Sequence, residues 1–216
     1  DPYAILVSEI MLQQTQISTV LERGYFERWM EAFPDFATVA RASEEQILKA
    51  WEGLGYYRRA RHLQKLARVL QEQHAGQMPG DPQTIQSLPG VGPYTAGAVS
   101  SFAFDLPQPL VDGNVARVLT RLRDDDTPID STPGQKRLWD LAGELVRRAD
   151  SPRVFNSAVM ELGQTHCRPG LPNCAECPVR AHCQTRRPAA LPVKKSRPQL
   201  TEVDERVAFW RTGGAV

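Results

Sequence analysis

Apolar residues recur at three- and four-residue intervals along most of this chain, with polar positions between them at helical spacing. In YRRARHLQKLARVL, Ala60, Leu63, Ala67 and Leu70 share one face, which predicts an amphipathic helix buried on that side. SEEQILKAWEGLG opens with a capping box, Ser43 to Gln46, and is stopped by Gly53 and Gly55. Thr132–Pro133 and Ser151–Pro152 each read as an N-cap followed by proline at the first helical position. The first helix begins abruptly, at Asp1-Pro2-Tyr3. No strand-like alternation of useful length precedes residue 200, and there is no internal repeat. The pattern predicts an all-α fold.

The helical pattern covers residues 1–184. A Pro-rich basic stretch within 185–200, from Arg186 to Gln199, reads as a linker. Beyond it TEVDERVAFWR begins to alternate like a strand. A lone edge strand has nothing to pair with, so residues 201–216 are expected to be the truncated start of a second domain. The composition, 41% hydrophobic and 24% charged, is that of a soluble globular protein, and no apolar run approaches a membrane span. A net charge of +1 does not announce a nucleic-acid partner. Its distribution says more: from Cys177 to Thr201 there is no acidic residue, while Arg180, Arg186, Arg187, Lys194, Lys195 and Arg197 supply cations. Such a run suits a solvated linker, a polyanion contact, or both.

Every cysteine lies in CRPGLPNCAECPVRAHC, residues 167 to 183, with the spacing C-x6-C-x2-C-x5-C. Dense disulfide frameworks belong to small secreted chains, and this chain is long enough for an ordinary core. Four thiolates also make a closed zinc site, but zinc sites usually pair two short knuckles and only Cys174 and Cys177 form one here. A compact run of this kind can wrap an iron–sulfur cube. The spacing alone leaves zinc and the cube open.

LPGVGPYTAGAV, residues 88 to 99, places Pro89, Gly90 and Gly92 in a tight turn between two helices, with Pro93 starting the second. Glycines there let the backbone N–H groups of Gly90, Val91 and Gly92 face outward beside a helix N-terminus, which suits a phosphate. Many helix–helix turns are connectors only. In LVDGNVARVLTRL, Asp112 precedes a helix and reads first as an N-cap. A carboxylate at that position favours its anionic form, the form that faces a developing cation. Glu9 in VSEIMLQQTQ sits among Val7, Ile10, Met11 and Leu12, which predicts partial burial. Burial raises a carboxyl pKa and makes the group a proton donor near neutral pH.

The hairpin resembles the helix-hairpin-helix element of DNA repair glycosylases. Together SEIMLQQT, WEGLGYYRRARHL, LPGVGPYTAGAV, VDGNVARVL, NSAVMELGQTHC and the cysteine run resemble the MutY family of adenine DNA glycosylases over nearly the whole chain. The hairpin and cysteine spacing are shared with endonuclease III relatives; EIMLQQT and GLGYY are more specific. The resemblance implies a helix-hairpin-helix glycosylase fold and a [4Fe–4S] cluster held by Cys167, Cys174, Cys177 and Cys183. It implies a monomer that acts on double-stranded DNA with adenine opposite 8-oxoguanine or guanine, in the bacterial cytoplasm at the nucleoid. Glu9 matches the family's proton donor and Asp112 its cation-stabilising carboxylate. Tyr94 and Asn114 match residues that line the pocket and hold the acids. Gln14, Thr15 and Tyr56 match residues that wedge into the base stack. The loop from Arg168 to Asn173 is expected to present cations to the DNA backbone. A C-terminal Nudix-like domain helps family members recognise 8-oxoguanine.

Endonuclease-III-like enzymes carry a hairpin lysine that forms a Schiff base and permits strand cleavage. Tyr94 stands at that position, and the five lysines, Lys49, Lys65, Lys136, Lys194 and Lys195, all lie elsewhere. A tyrosine cannot form an imine, so base removal without strand cleavage is expected. Two alternatives remain: a thymine mismatch glycosylase of the same superfamily, and a non-catalytic iron–sulfur DNA-binding module. Glu9 within EIMLQQT argues against the first, and the Glu9–Asp112 pair against the second.

Overall fold

The structure, a computed structural model, describes residues 1–196. These form eleven α-helices and two short 3-10 turns, with no strand among the described residues. The helices are α1 (Pro2–Leu12), α2 (Ile17–Glu22), α3 (Tyr25–Ala32), α4 (Phe36–Arg41), α5 (Glu44–Ala50) and α6 (Arg58–Gln73). They continue as α7 (Pro82–Ser87), α8 (Pro93–Phe104), α9 (Gly113–Arg123), α10 (Thr132–Val146) and α11 (Pro152–Thr165). No helix among the described residues is long and apolar enough to cross a membrane.

The local signals in the sequence have direct counterparts. The Ser43 hydroxyl accepts the Gln46 N–H at 3.2 Å, and the Gln46 side chain accepts the Ser43 N–H at 2.9 Å. A cap of this kind contributes about 1 kcal/mol. Asp1 caps α1, and Ser151 caps α11 with Pro152 as its first residue. At α10 the cap is Ser131, which accepts the Gly134 N–H at 3.0 Å, and not Thr132. Two hydroxyl residues compete there, and Ser131 wins by placing Pro133 in the first turn, where its missing N–H costs nothing. The expected strand in 201–211 lies outside the described residues.

The hydrophobic interior has two parts. One gathers α1 to α8 around Leu6, Val7, Met11, Trp29, Trp51, Leu63 and Leu70. The other gathers α8 to α10 around Ala98, Leu110, Val115, Leu119, Leu138 and Ala142. Helix α8 is the wall between them. It is apolar on nearly every side, and residues Thr95 to Ser101 are all buried. Its side chains are small, so neighbours come close. A Cβ on Gly97 would lie 2.0 Å from the Pro109 carbonyl oxygen. That space lets the crossover from α8 to α9 run over α8 and deliver Asp112 beside α8's first turn.

The basic Pro-rich segment is pinned where it is described. Leu191 is buried, the Val193 carbonyl accepts the Ile129 N–H at 2.9 Å, and Arg187 reaches Asp126 at 3.0 Å.

Candidate active site

Four of the residues singled out in the sequence meet at the junction of the two cores. Glu9 projects from the middle of α1, whose neighbouring positions Leu6, Val7, Ile10 and Met11 are buried. Tyr94 lies in the first turn of α8, directly after the hairpin, with its hydroxyl beside the Glu9 carboxyl. Asp112 is the N-cap of α9: one carboxylate oxygen accepts the Val115 N–H at 2.7 Å, the other the Asn114 amide at 3.0 Å.

The two carboxyl groups live in different surroundings. Burial pushes the Glu9 carboxyl above the usual carboxylate range; the neighbouring Tyr94 hydroxyl pulls against this, and the charge of Asp112 pushes it up further. Burial, then the charges of Glu9 and Asp112, hold the Tyr94 phenol far above its ordinary value, so it stays a neutral hydrogen-bonding group. Both donors to Asp112 are N–H groups at or beside a helix N-terminus, where a negative charge is favoured. Glu9 is thus pushed toward its protonated form, while both oxygens of Asp112 are occupied by N–H donors.

Asn114 is itself held. Its side-chain carbonyl accepts Arg117 Nη2 at 2.8 Å, which fixes the orientation of its amide toward Asp112. Arg117 also donates to the carbonyls of Gly163 and Cys167, each at 2.7 Å. A Cβ on Gly163 would lie 2.7 Å from the Cβ of Asn114, so α11 meets the start of α9 at the closest distance a glycine permits. One turn further along α9, fully buried Arg121 donates to the carbonyls of Arg168 (2.8 Å) and Leu191 (3.1 Å) and contacts Cys167 Sγ at 3.4 Å. Arg117 and Arg121 were not singled out in the sequence. The signal was there: with Asn114 they recur at helical spacing on α9, among positions that are otherwise apolar.

The four cysteines carry no disulfide. All line one cavity of about 310 Å³, walled by Val118, Arg121, Leu122 and Leu162. Burial raises the Cys183 thiol, and the neighbouring Cys167, Cys174 and Cys177 raise it further. Among the described residues no group of three or more His, Cys, Asp or Glu side chains is arranged to hold a single metal ion. The donors are soft sulfur, and a sulfur-lined space shared by four thiols suits a multi-atom iron–sulfur group.

The remaining predicted residues lie mostly at the surface. Gln14 and Tyr56 are exposed and Thr15 partly so, on two turns brought together beneath by Arg59. In the hairpin, Gly90 is exposed and the N–H groups of Gly90 and Gly92 donate to no backbone carbonyl among the described residues. Val91 differs: its side chain is buried in the first core and its N–H bonds to the Leu88 carbonyl at 3.1 Å. Arg168 is exposed at the start of the cysteine loop.

The family profile described as HhH-GPD superfamily base excision DNA repair protein matches residues 7–143. The chain is 49% identical to the adenine DNA glycosylases of Mus musculus, over 84% of the chain and 35% of that protein, and of Homo sapiens, over 85% and 33%. It is 39% identical to the adenine DNA glycosylase of Mycolicibacterium smegmatis, over 85% of the chain and 61% of that protein. The chain thus spans about a third of the two mammalian relatives. Among solved structures it resembles a thermostable thymine-DNA glycosylase, with a TM-score of 0.75 and 30% identity over 85% of this chain and 83% of that one. A non-covalent endonuclease III–DNA complex gives a TM-score of 0.69 and 26% identity over 85% and 83%.

Proposed function

The chain belongs to the HhH-GPD superfamily of base excision DNA repair proteins, and from that premise we propose that it is a monofunctional adenine DNA glycosylase of the MutY type. The observation that carries the reading is the pair of carboxyl groups, Glu9 pushed toward its protonated form beside Tyr94 and Asp112 fixed in place as the N-cap of α9.

Adenine is a poor anionic leaving group, so its ring must gain a proton as the glycosidic bond breaks. The base leaves the duplex and enters the pocket. Glu9 gives its proton to adenine N7 while the bond from C1′ to N9 breaks, and the bonding electrons stay with the base. Asp112 faces the positive charge that develops at C1′. Water then adds to C1′, and the proton it loses restores the Glu9 carboxyl. An abasic site and free adenine result. With tyrosine at position 94 no imine forms with the sugar, so the strand stays intact.

The Gly90–Gly92 turn and the α8 N-terminus suit sequence-blind phosphate contact, and Gln14, Thr15 and Tyr56 suit insertion into the stack. Cys167, Cys174, Cys177 and Cys183 would hold a [4Fe–4S] cluster, which when bound cross-links the loop carrying Arg168 and supplies one-electron redox chemistry. The substrate in this reading is double-stranded DNA with adenine opposite 8-oxoguanine or guanine.

The structural likeness to a thymine-DNA glycosylase makes thymine the competing substrate. Thymine departs as an anion stabilised by its own carbonyls and has no need of a buried acid. Base release from duplexes with adenine or thymine opposite guanine or 8-oxoguanine, with borohydride present in parallel, tests the proposal. Adenine release without a trapped adduct is expected; thymine release or a covalent adduct overturns it.

A further inference from the structure

The guanidinium of Arg59 lies beneath the two turns that carry Gln14 and Tyr56. Its Nη1 donates to the carbonyls of Ile10 (2.9 Å), Met11 (2.8 Å) and Gln13 (2.6 Å). Its Nη2 reaches the carbonyls of Leu54 (3.1 Å) and Gly55 (3.3 Å) and the hydroxyl of Thr15 (3.2 Å). One side chain thus ties the end of α1 to a turn more than forty residues away in sequence. The cation also sits over two ring faces, 5.3 Å from the centre of Trp51 and 5.7 Å from that of Tyr56.

This is a costly place for a charge. Arg59 is 8% exposed, and among the described residues no carboxylate pairs with it. Its hydrogen-bond partners are carbonyls and one hydroxyl, and its Nε has none. A hydrophobic side chain of similar volume would avoid the desolvation penalty. What it could not do is bond the free carbonyls at the end of α1. The backbone points to the reason. Gln14 (φ 57°) and Tyr56 (φ 46°) are both in the left-handed region, and each directly follows a residue whose carbonyl Arg59 holds, Gln13 and Gly55. Strained turns of this kind persist where the surroundings over-determine them.

We propose that Arg59 is a positioning residue: it locks the Gln14–Thr15 turn and the Gly55–Tyr56 turn into one preformed wedge and registers that wedge against the helix carrying Glu9. This rests on the reading of the site as a base-flipping glycosylase. The role needs arginine, whose fork of donors spans both turns; a lysine presents three donors at one point and holds one turn or the other.

The test compares wild type with Arg59→Lys on two duplexes containing adenine opposite 8-oxoguanine, one fully paired elsewhere and one with mismatches flanking the adenine. In the second, extrusion of the base needs little help from the wedge. Arg59→Lys is expected to slow single-turnover release about 100-fold on the first duplex. On the second the defect is expected to shrink to under about tenfold. With 2-aminopurine in place of the adenine, wild type is expected to brighten on binding and the variant is not. Equal losses on both duplexes, or none on either, overturn the proposal. If wild type releases no adenine from either duplex, the glycosylase reading fails separately. The 2-aminopurine signal then decides Arg59 alone: brightening in the variant equal to wild type overturns its role. Should Arg59→Lys misfold, Thr15→Val removes one acceptor of the fork and is expected to give about a tenfold loss, again confined to the fully paired duplex.

Discussion

Replacing Asp112 by asparagine separates its role as a helix cap from its role as a counter-charge. Asparagine caps helices as well as aspartate does, and its carbonyl still accepts the Val115 N–H that lies 2.7 Å from the carboxylate. The other oxygen becomes an NH2 group facing the amide of Asn114, now 3.0 Å away. Asn114 cannot turn to accommodate it, because its own carbonyl is held by Arg117 at 2.8 Å. One hydrogen bond is exchanged for a donor–donor contact, a loss of about 1–2 kcal/mol. For a chain of this length that lowers the melting temperature by roughly 2–8 °C. The catalytic loss is larger. A preorganised electrostatic partner contributes about 2.7–4 kcal/mol to a charged transition state, so single-turnover release of adenine is expected to fall about 100- to 1000-fold. Rates by quenched flow, melting by circular dichroism and duplex affinity by filter binding together make the test. A variant that keeps its fold and releases adenine within about fivefold of wild type refutes the counter-charge; one that fails to fold refutes the capping analysis.

Glu9→Gln keeps the shape and an acceptor for Tyr94 but loses the acidic proton, so release is expected to fall about 100- to 10,000-fold with duplex affinity unchanged. Because burial raises the Glu9 pKa in the folded state, wild-type rates should fall as pH climbs through that raised value. Stability follows the same sign: the folded chain binds this proton more tightly than the unfolded one, so the contribution is fully present below the ordinary carboxylate pKa and is lost on going up. Equilibrium unfolding across pH is expected to give a slope in wild type that Glu9→Gln lacks; parallel profiles contradict the assignment. Gly163→Ala puts a methyl 2.7 Å from the Cβ of Asn114 and is expected to cost about 1–3 kcal/mol while slowing release, measured by denaturant melts and single-turnover assays. Anaerobically purified protein is expected to contain about four irons and four sulfides per chain; one zinc and no sulfide by elemental analysis refutes the cluster.

Local chemistry in the sequence carried the helices. The Ser43–Gln46 box, the face of Ala60, Leu63, Ala67 and Leu70, and the Asp112 cap depend on residues within a few positions of one another, so spacing suffices to read them. In the pocket, Glu9 and Asp112 each left a local trace, a carboxyl in an apolar helix and a cap at a helix start, whereas Tyr94 and Asn114 came from family resemblance. The proposed wedge residues Gln14, Thr15 and Tyr56 came only from family resemblance, since surface turns such as those of Gln14 and Tyr56 leave no periodic trace. The three buried arginines were missed. Arginine normally marks a surface, and Arg59, Arg117 and Arg121 are buried by carbonyls that reach them from distant turns and helices. The stretch after the cysteines reads by composition as a linker, yet Leu191 and Val193 dock on α9 and the loop before α10 through contacts that proline and lysine content do not reveal.

The central claim is that a protonated Glu9 delivers its proton to the departing adenine while Asp112 faces the sugar cation. The most direct measurement compares single-turnover release from two duplexes that differ in one atom, adenine and its analogue with carbon in place of N7, each opposite 8-oxoguanine. Free adenine and an intact abasic strand are expected from the first, and from the second tight binding with release slowed by at least about 1000-fold. Equal release of the two bases would contradict it.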